Sequence, residues 1–87
     1  MIYEVDFTPQ AQKDFLSLDK NVALHVAQRI ERLRKNADAV IHFPLIGPFK
    51  GKFKLRAGDW RVIYSIEHEG RIITIYSVRH RSEVYKI

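Results

Sequence analysis

The sequence predicts an α+β fold in one domain spanning residues 1–87, ordered β-α-α-β-β-β, with a helical hairpin packed on a mainly antiparallel meander sheet. Three observations carry this: an alternating apolar run at the start, two stretches of helical periodicity before residue 37, and three β-rich runs separated by turn residues after residue 51. At 87 residues there is no room for a second core.

Tyr3, Val5 and Phe7 alternate within residues 2–7 and share one face of a short strand. Thr8-Pro9 then reads as an N-cap with proline at the first helical position. The helix it opens carries Ala11, Phe15 and Leu18 at spacings of four and three, and should end near Leu18-Asp19. Asn21 is the expected cap of a second helix, whose apolar stripe is Val22, Val26, Ile30 and Leu33, with Arg29, Arg32, Arg34 and Lys35 beside or opposite it. Residues 37–51 lose all periodicity. Pro44, Gly47, Pro48 and Gly51 punctuate the segment, yet Phe43, Leu45, Ile46 and Phe49 are too apolar for a free linker, so a loop packed on the core is expected. Strands follow at Lys52–Arg56, 60–67 and 71–79, joined by turns at Ala57-Gly58-Asp59 and His68-Glu69-Gly70. β-branched residues on both faces of the last two make them central.

Lysine and arginine total 15 against 10 acidic residues, a net charge of +5. Residues 1–43 hold six of each sign, so the whole excess lies in residues 44–87. A localised excess of this kind suits a polyanionic partner. There is no cysteine, which removes disulfides, thiolate nucleophiles and cysteine-bound zinc, and fits a reducing cytoplasm. No apolar run approaches the ~20 residues that span a bilayer, so no membrane role is expected. No metal set or glycine-rich phosphate loop is visible, and no metal or cofactor is implied.

The candidate chemistry is cationic. Lys52, Lys54 and Arg56 fall on one face of a strand at spacings of about 6.5 to 7 Å, with Phe53 and Leu55 turned to the core. An edge strand guarded by lysines is the bland alternative. Three cations in five residues, with Arg61 across a tight turn, favour an anion-binding face. Arg61 sits between Trp60 and Val62 in an apolar strand, so it needs an anionic partner: a carboxylate such as Glu67 or Glu83, or a ligand phosphate. The stretch Arg79-His80-Arg81-Ser82-Glu83-Val84-Tyr85 gathers phosphate-binding, proton-moving and base-stacking side chains after the last strand. His25, His42 and His68 lack such neighbours and read as structural. A cationic site with few histidines suits binding a phosphodiester and stabilising the charge that builds on it during cleavage.

The run Lys52-x-Lys54-Leu55-Arg56-x-Gly58-Asp59-x-Arg61-Val62-Ile63-Tyr64, followed by His80-Arg81-Ser82-Glu83-Val84-Tyr85, resembles the RelE branch of the RelE/ParE toxin superfamily, over the whole chain. The resemblance implies a type II toxin that cuts messenger RNA in the ribosomal A site by metal-independent attack of the 2′-hydroxyl, leaving a 2′,3′-cyclic phosphate. It also implies a cognate antitoxin, and a toxin–antitoxin hetero-oligomer that binds operator DNA. Carried across by position, Lys52 and Lys54 match paired lysines that bind phosphate and favour loss of the 2′-proton. Arg61 matches the arginine that stabilises the phosphorane-like state, Arg81 the arginine near the leaving 5′-oxygen, and Tyr85 the tyrosine that orients the nucleotide. In some relatives the arginine aligns with Arg79, and in others a histidine at the place of His80 is the acid, so three donors stay open. Arg56 and Arg79 are expected to bind RNA. Two rivals share the fold: a ParE-like gyrase inhibitor, which is a binding module, and an inactive homologue serving as antitoxin partner and corepressor.

Overall fold

Strand β1 (Glu4–Phe7) runs parallel to β5 (Ile72–His80), so the two ends of the chain meet side by side in one sheet. The computed structural model describes residues 2–84. Its five strands lie in the order β1-β5-β4-β3-β2, with β4 spanning Trp60–Glu67, β3 Phe53–Ala57 and β2 Phe43–Pro44. All pairings other than β1–β5 are antiparallel, and β4 and β5 are central as their composition predicts. Strand β2 is a two-residue edge inside a segment expected to be loop; its brevity and Pro44 leave no alternation to read.

Helix α1 (Pro9–Leu16) is capped as expected, by Thr8 Oγ1 accepting from the Ala11 amide at 3.1 Å. It ends two residues early. The Ser17 amide bonds both Lys13 O and Asp14 O, and Leu18 N reaches Phe15 O, so the last turn tightens and closes. Leu18 still packs on the core. Helix α2 (Lys20–Asn36) is capped by Asp19 rather than Asn21: the Asp19 carboxylate accepts from the Asn21 amide at 3.3 Å. Among the described residues, no helix is long and apolar enough to cross a membrane.

The core lies between one face of the sheet and the helices. Val26, Ile30 and Leu33 of α2 meet Val62, Tyr64, Ile73, Ile75 and Val78, with Ala11 of α1 and Tyr3. The segment after α2 is pinned by polar contacts. His42 Nε2 donates to Ala37 O at 2.8 Å, which leaves Nδ1 of the neutral ring to accept from the Tyr64 hydroxyl at 2.6 Å. Tyr3 donates to Asp38 at 2.5 Å and lies 2.7 Å from His68 Nδ1. Two histidines read as structural therefore have structural partners. Ala37 is buried, and Leu45 and Phe49 are half-buried, but Ile41 (80% exposed) and Ile46 point to solvent.

Candidate nucleic-acid interface

The sheet face away from the helices carries the cations, and a β-bulge sets its layout. In the β4–β5 ladder Ile63 pairs with Ser77 while Tyr64 pairs with Ile75, so Tyr76 is an extra residue with no opposite number. Ile75 and Val78 both enter the core cluster at a spacing of three. Tyr76 and Ser77 between them are thereby both turned off the core face. Strand alternation brings Lys54, Arg56, Arg61, Ile63, Ser65 and Arg79 to the same face. Ile63 is only 1% exposed, yet it lies outside the helix-side cluster and forms the apolar floor among these polar groups.

The register draws this face as a grid. Arg56 pairs with Arg61, and Arg61 with Arg79: three arginines abreast across β3, β4 and β5. The next row is Lys54, Ile63 and Ser77. Lys52 stands two residues further along. Strands are about 4.8 Å apart and rows about 6.5 to 7 Å, so five cations occupy a patch roughly 10 by 14 Å.

Arg61 is 7% exposed, and its partner is neither of the expected carboxylates. Nη1 donates to Gly58 O at 2.8 Å and to Trp60 O at 2.9 Å. The first carbonyl lies in the two-residue β3–β4 turn, where Gly58 has φ +62° at the first central position, the type II′ pattern, and the second belongs to the first residue of β4. Two bonds engage one nitrogen of a five-donor fork. The geometry anchors a cation on the face without neutralising it. Glu83 instead lies 3.5 Å from Arg79, through an exposed pair.

The Arg81 amide bonds Asp59 O at 2.8 Å and its Nε is 3.7 Å from Asp59 Oδ1, which ties the end of β5 to the β3–β4 turn. His80 pairs with Trp60 in the ladder, their rings edge to face at 5.5 Å, and Trp60 is half-buried against the core. His80 Nδ1 lies 2.9 Å from Ser82 Oγ and accepts from the Ser82 amide at 3.3 Å. Arg79, His80 and Arg81 thus follow the arginine row at its β5 end. Tyr85, the expected stacking residue, lies outside the described residues.

The grid continues round the β3 edge into a cleft of about 730 Å³, where Arg29 and Arg32 of α2 join Lys54, Arg56 and Arg61 over Leu33 and Phe43. Arg29 Nε donates to Arg56 O at 3.0 Å, fastening helix to strand. The sequence places these two arginines only beside or opposite the α2 stripe; their spacing to Leu33 was the available signal. Tyr76 carries no signal at all. Lys52 Nζ sits 4.7 Å from its ring centroid, and Ser65 Oγ donates to its hydroxyl at 3.2 Å. Such a face can hold a polyanion through several phosphates and stabilise added negative charge at one of them.

Residues 5–85 match the family described as the ParE toxin of the type II toxin-antitoxin system parDE. The chain is similar to the mRNA interferase toxin RelE of Escherichia coli strain K12, at 32% identity over 94 aligned residues that cover 98% of this chain and 92% of that protein. It is also similar to Toxin RelG of Mycobacterium tuberculosis strain H37Rv, at 28% identity over 86 residues and 99% of each chain. Its fold matches a chain in the crystal structure of the toxin-antitoxin complex RelBE2 from Mycobacterium tuberculosis, with TM-score 0.82, 29% identity and 94% of both chains covered.

Proposed function

As this chain belongs to the RelE-like branch of the RelE/ParE superfamily of type II toxin–antitoxin toxins, we propose that it is a ribosome-dependent endoribonuclease that cuts messenger RNA in the A site. The observation that carries this is the row Arg56–Arg61–Arg79 with Lys54 and Lys52 behind it. A phosphodiester laid across the row meets guanidinium groups on both sides.

The 2′-oxygen of the nucleotide attacks the adjacent phosphorus, and the bond from phosphorus to the 5′-oxygen breaks. The products are a 2′,3′-cyclic phosphate and a 5′-hydroxyl. The 2′-proton passes to the amine of Lys54, which can take it only in the neutral form, while the Lys52 ammonium binds the phosphate. Charge on the phosphorane-like state is met by Arg61, already anchored through its two carbonyl bonds, so little reorganisation is needed. The leaving oxygen takes its proton from the Arg79–Arg81 segment. Tyr85 orients the base. No step calls on a metal. Message and ribosomes place this work in the cytoplasm, and a cognate antitoxin holds it in check by covering basic surface; a toxin–antitoxin oligomer would bind operator DNA.

The test is messenger cleavage on programmed ribosomes, mapped by primer extension, with Lys54→Ala and Arg61→Ala alongside. Cuts in the A-site codon that disappear in both variants support the nuclease. The match to a family described by ParE favours one second reading, a gyrase inhibitor that cuts nothing. Intact message together with inhibited supercoiling selects it. Intact message without inhibition leaves an inactive homologue acting as antitoxin partner.

A further inference from the structure

We propose that Tyr76 is a positioning residue for Lys52, holding its ammonium at a fixed place on the cationic face. The inference rests on the nuclease reading and assigns a role to a residue with no motif around it.

Three constraints lock Tyr76. Alternation from Ile75 turns its side chain off the core face, and the bulge keeps Ser77 beside it there. Its hydroxyl accepts from Ser65 Oγ at 3.2 Å, which fixes the far end of the ring. Its backbone carbonyl accepts from Thr8 Oγ1 at 3.2 Å, the same oxygen that caps α1, so helix and bulge are fastened together. A half-buried ring held at both ends is a rigid platform.

Lys52 needs one. It precedes β3 directly after Gly51, whose φ of +88° marks a turn; its backbone is held, with its amide donating to Phe49 O and its carbonyl accepting from Leu45 N at 2.9 Å each, so what remains to be fixed is the long side chain. A lysine side chain has four rotatable bonds, and an ammonium free to wander is a poor partner for one phosphate oxygen. At 4.7 Å from the ring centroid, within the ~6 Å range of cation–π attraction, the ammonium has a preferred seat. The ring occupies one side of the ammonium and leaves N–H donors on the other for an incoming phosphate. Without the bulge, alternation from Ile75 would turn Ser77 into the core and Val78 out of it; with it, Val78 keeps its core place while the ring stays on the cationic face.

The experiment is a mutant cycle on programmed ribosomes, reading single-turnover cleavage rate and ribosome affinity separately. Tyr76→Leu removes the ring and should slow cleavage about tenfold, the worth of a partly desolvated cation–π contact, with affinity changed less than about threefold. Tyr76→Phe keeps the ring and should recover most of that loss. Lys52→Ala combined with Tyr76→Leu should be no slower than Lys52→Ala alone, because the ring acts only through the lysine. A merely structural role would instead multiply the two losses, and that outcome overturns the proposal. So does an unchanged rate in Tyr76→Leu. A readout independent of variant folding is the NMR shift of the Lys52 ε-methylene protons in the wild-type protein, expected upfield of the other lysines; coincidence with them also overturns it. If the wild-type protein cuts no message, the nuclease reading fails and the role falls with it, even where the upfield shift persists.

Discussion

Arg61 and Arg79 stand directly opposite each other in the β4–β5 ladder, and Arg56 extends the row on the far side of Arg61. Like charges facing across strands destabilise a sheet by about 0.2 to 1 kcal/mol per pair. The fold offsets some of this, with carbonyls for Arg61 and Glu83 near Arg79. Arg56 is exposed and contributes charge to the row without a structural role for its side chain in the core. Arg56→Gln should therefore raise stability by a few tenths of a kcal/mol while weakening RNA binding. If about five phosphates are neutralised, log K against log salt should slope near −3.5 for single-stranded RNA, and Arg56→Gln should flatten it by about 0.7. Urea titrations and binding at four salt concentrations check both. Loss of stability in Arg56→Gln, or an unchanged slope, contradicts a row maintained for a polyanion.

Arg61 combines anchoring with charge, so its conservative replacement is informative. A lysine there has a single ammonium, which cannot bond Gly58 O and Trp60 O as Nη1 does and still offer a second set of fork donors to a phosphate. Arg61→Lys should lower stability by about 1 to 3 kcal/mol, seen as a fall in melting temperature of roughly 4 to 8 °C per kcal/mol. Cleavage should drop by about 10² or more because the surviving charge is displaced from the phosphorus. A variant of native stability and native rate would show that the carbonyl anchors are incidental.

How much of this was legible from the residues differs by feature. Alternation gave β3 and β4, because Phe53 and Leu55 separate Lys52, Lys54 and Arg56 one by one. The bulge was not legible: residues 72–78 are β-formers on both faces, so a slip of one residue leaves no mark in the pattern. Arg61 could be recognised as needing a partner, but carbonyls of its own turn and strand have no signature, whereas carboxylates do. The parallel β1–β5 pairing joins residues about 68 apart and has no local signal. Asp19 displaced Asn21 as cap because both residue types fit and only two positions separate them.

Tyr64 gives the fold an alkaline dependence of known sign. Burial pushes its hydroxyl up to about 12, against an ordinary 10.0. Between those values the unfolded chain has released a proton that the folded chain keeps, so stability falls as pH rises, by up to about 1.4 kcal/mol per pH unit for one proton. Below pH 10 there is no contribution. Tyr3, raised mainly by its hydrogen bond to Asp38 and then by burial, acts in the same direction. Tyr64→Phe loses the bond to His42 and should be less stable at neutral pH, by about 1 kcal/mol. The gap to wild type should then close between pH 10 and 12. Denaturation curves at half-unit steps decide it, and a gap that stays constant to pH 11.5 rejects the assignment.

The proton donor to the leaving oxygen can be identified by removing the need for it. His80 Nδ1 accepts from the Ser82 amide, so Nε2–H is the donor left to face a substrate. Arg81 is held to Asp59 through backbone and side chain, and a guanidinium does not give up its proton in proteins. We propose His80, acting as the imidazolium, as the acid and Arg81 as an electrostatic group. His80→Ala should slow cleavage of ordinary message by about 10² or more. On a message whose scissile 5′-oxygen is replaced by sulfur, the leaving thiolate departs without protonation. His80→Ala should then approach the wild-type rate, while Arg81→Ala stays slow on both messages, since its charge is still required. Rescue of Arg81→Ala or Arg79→Ala, with His80→Ala unrescued, would transfer the role to that arginine and leave the imidazole as the edge-to-face partner of Trp60 alone.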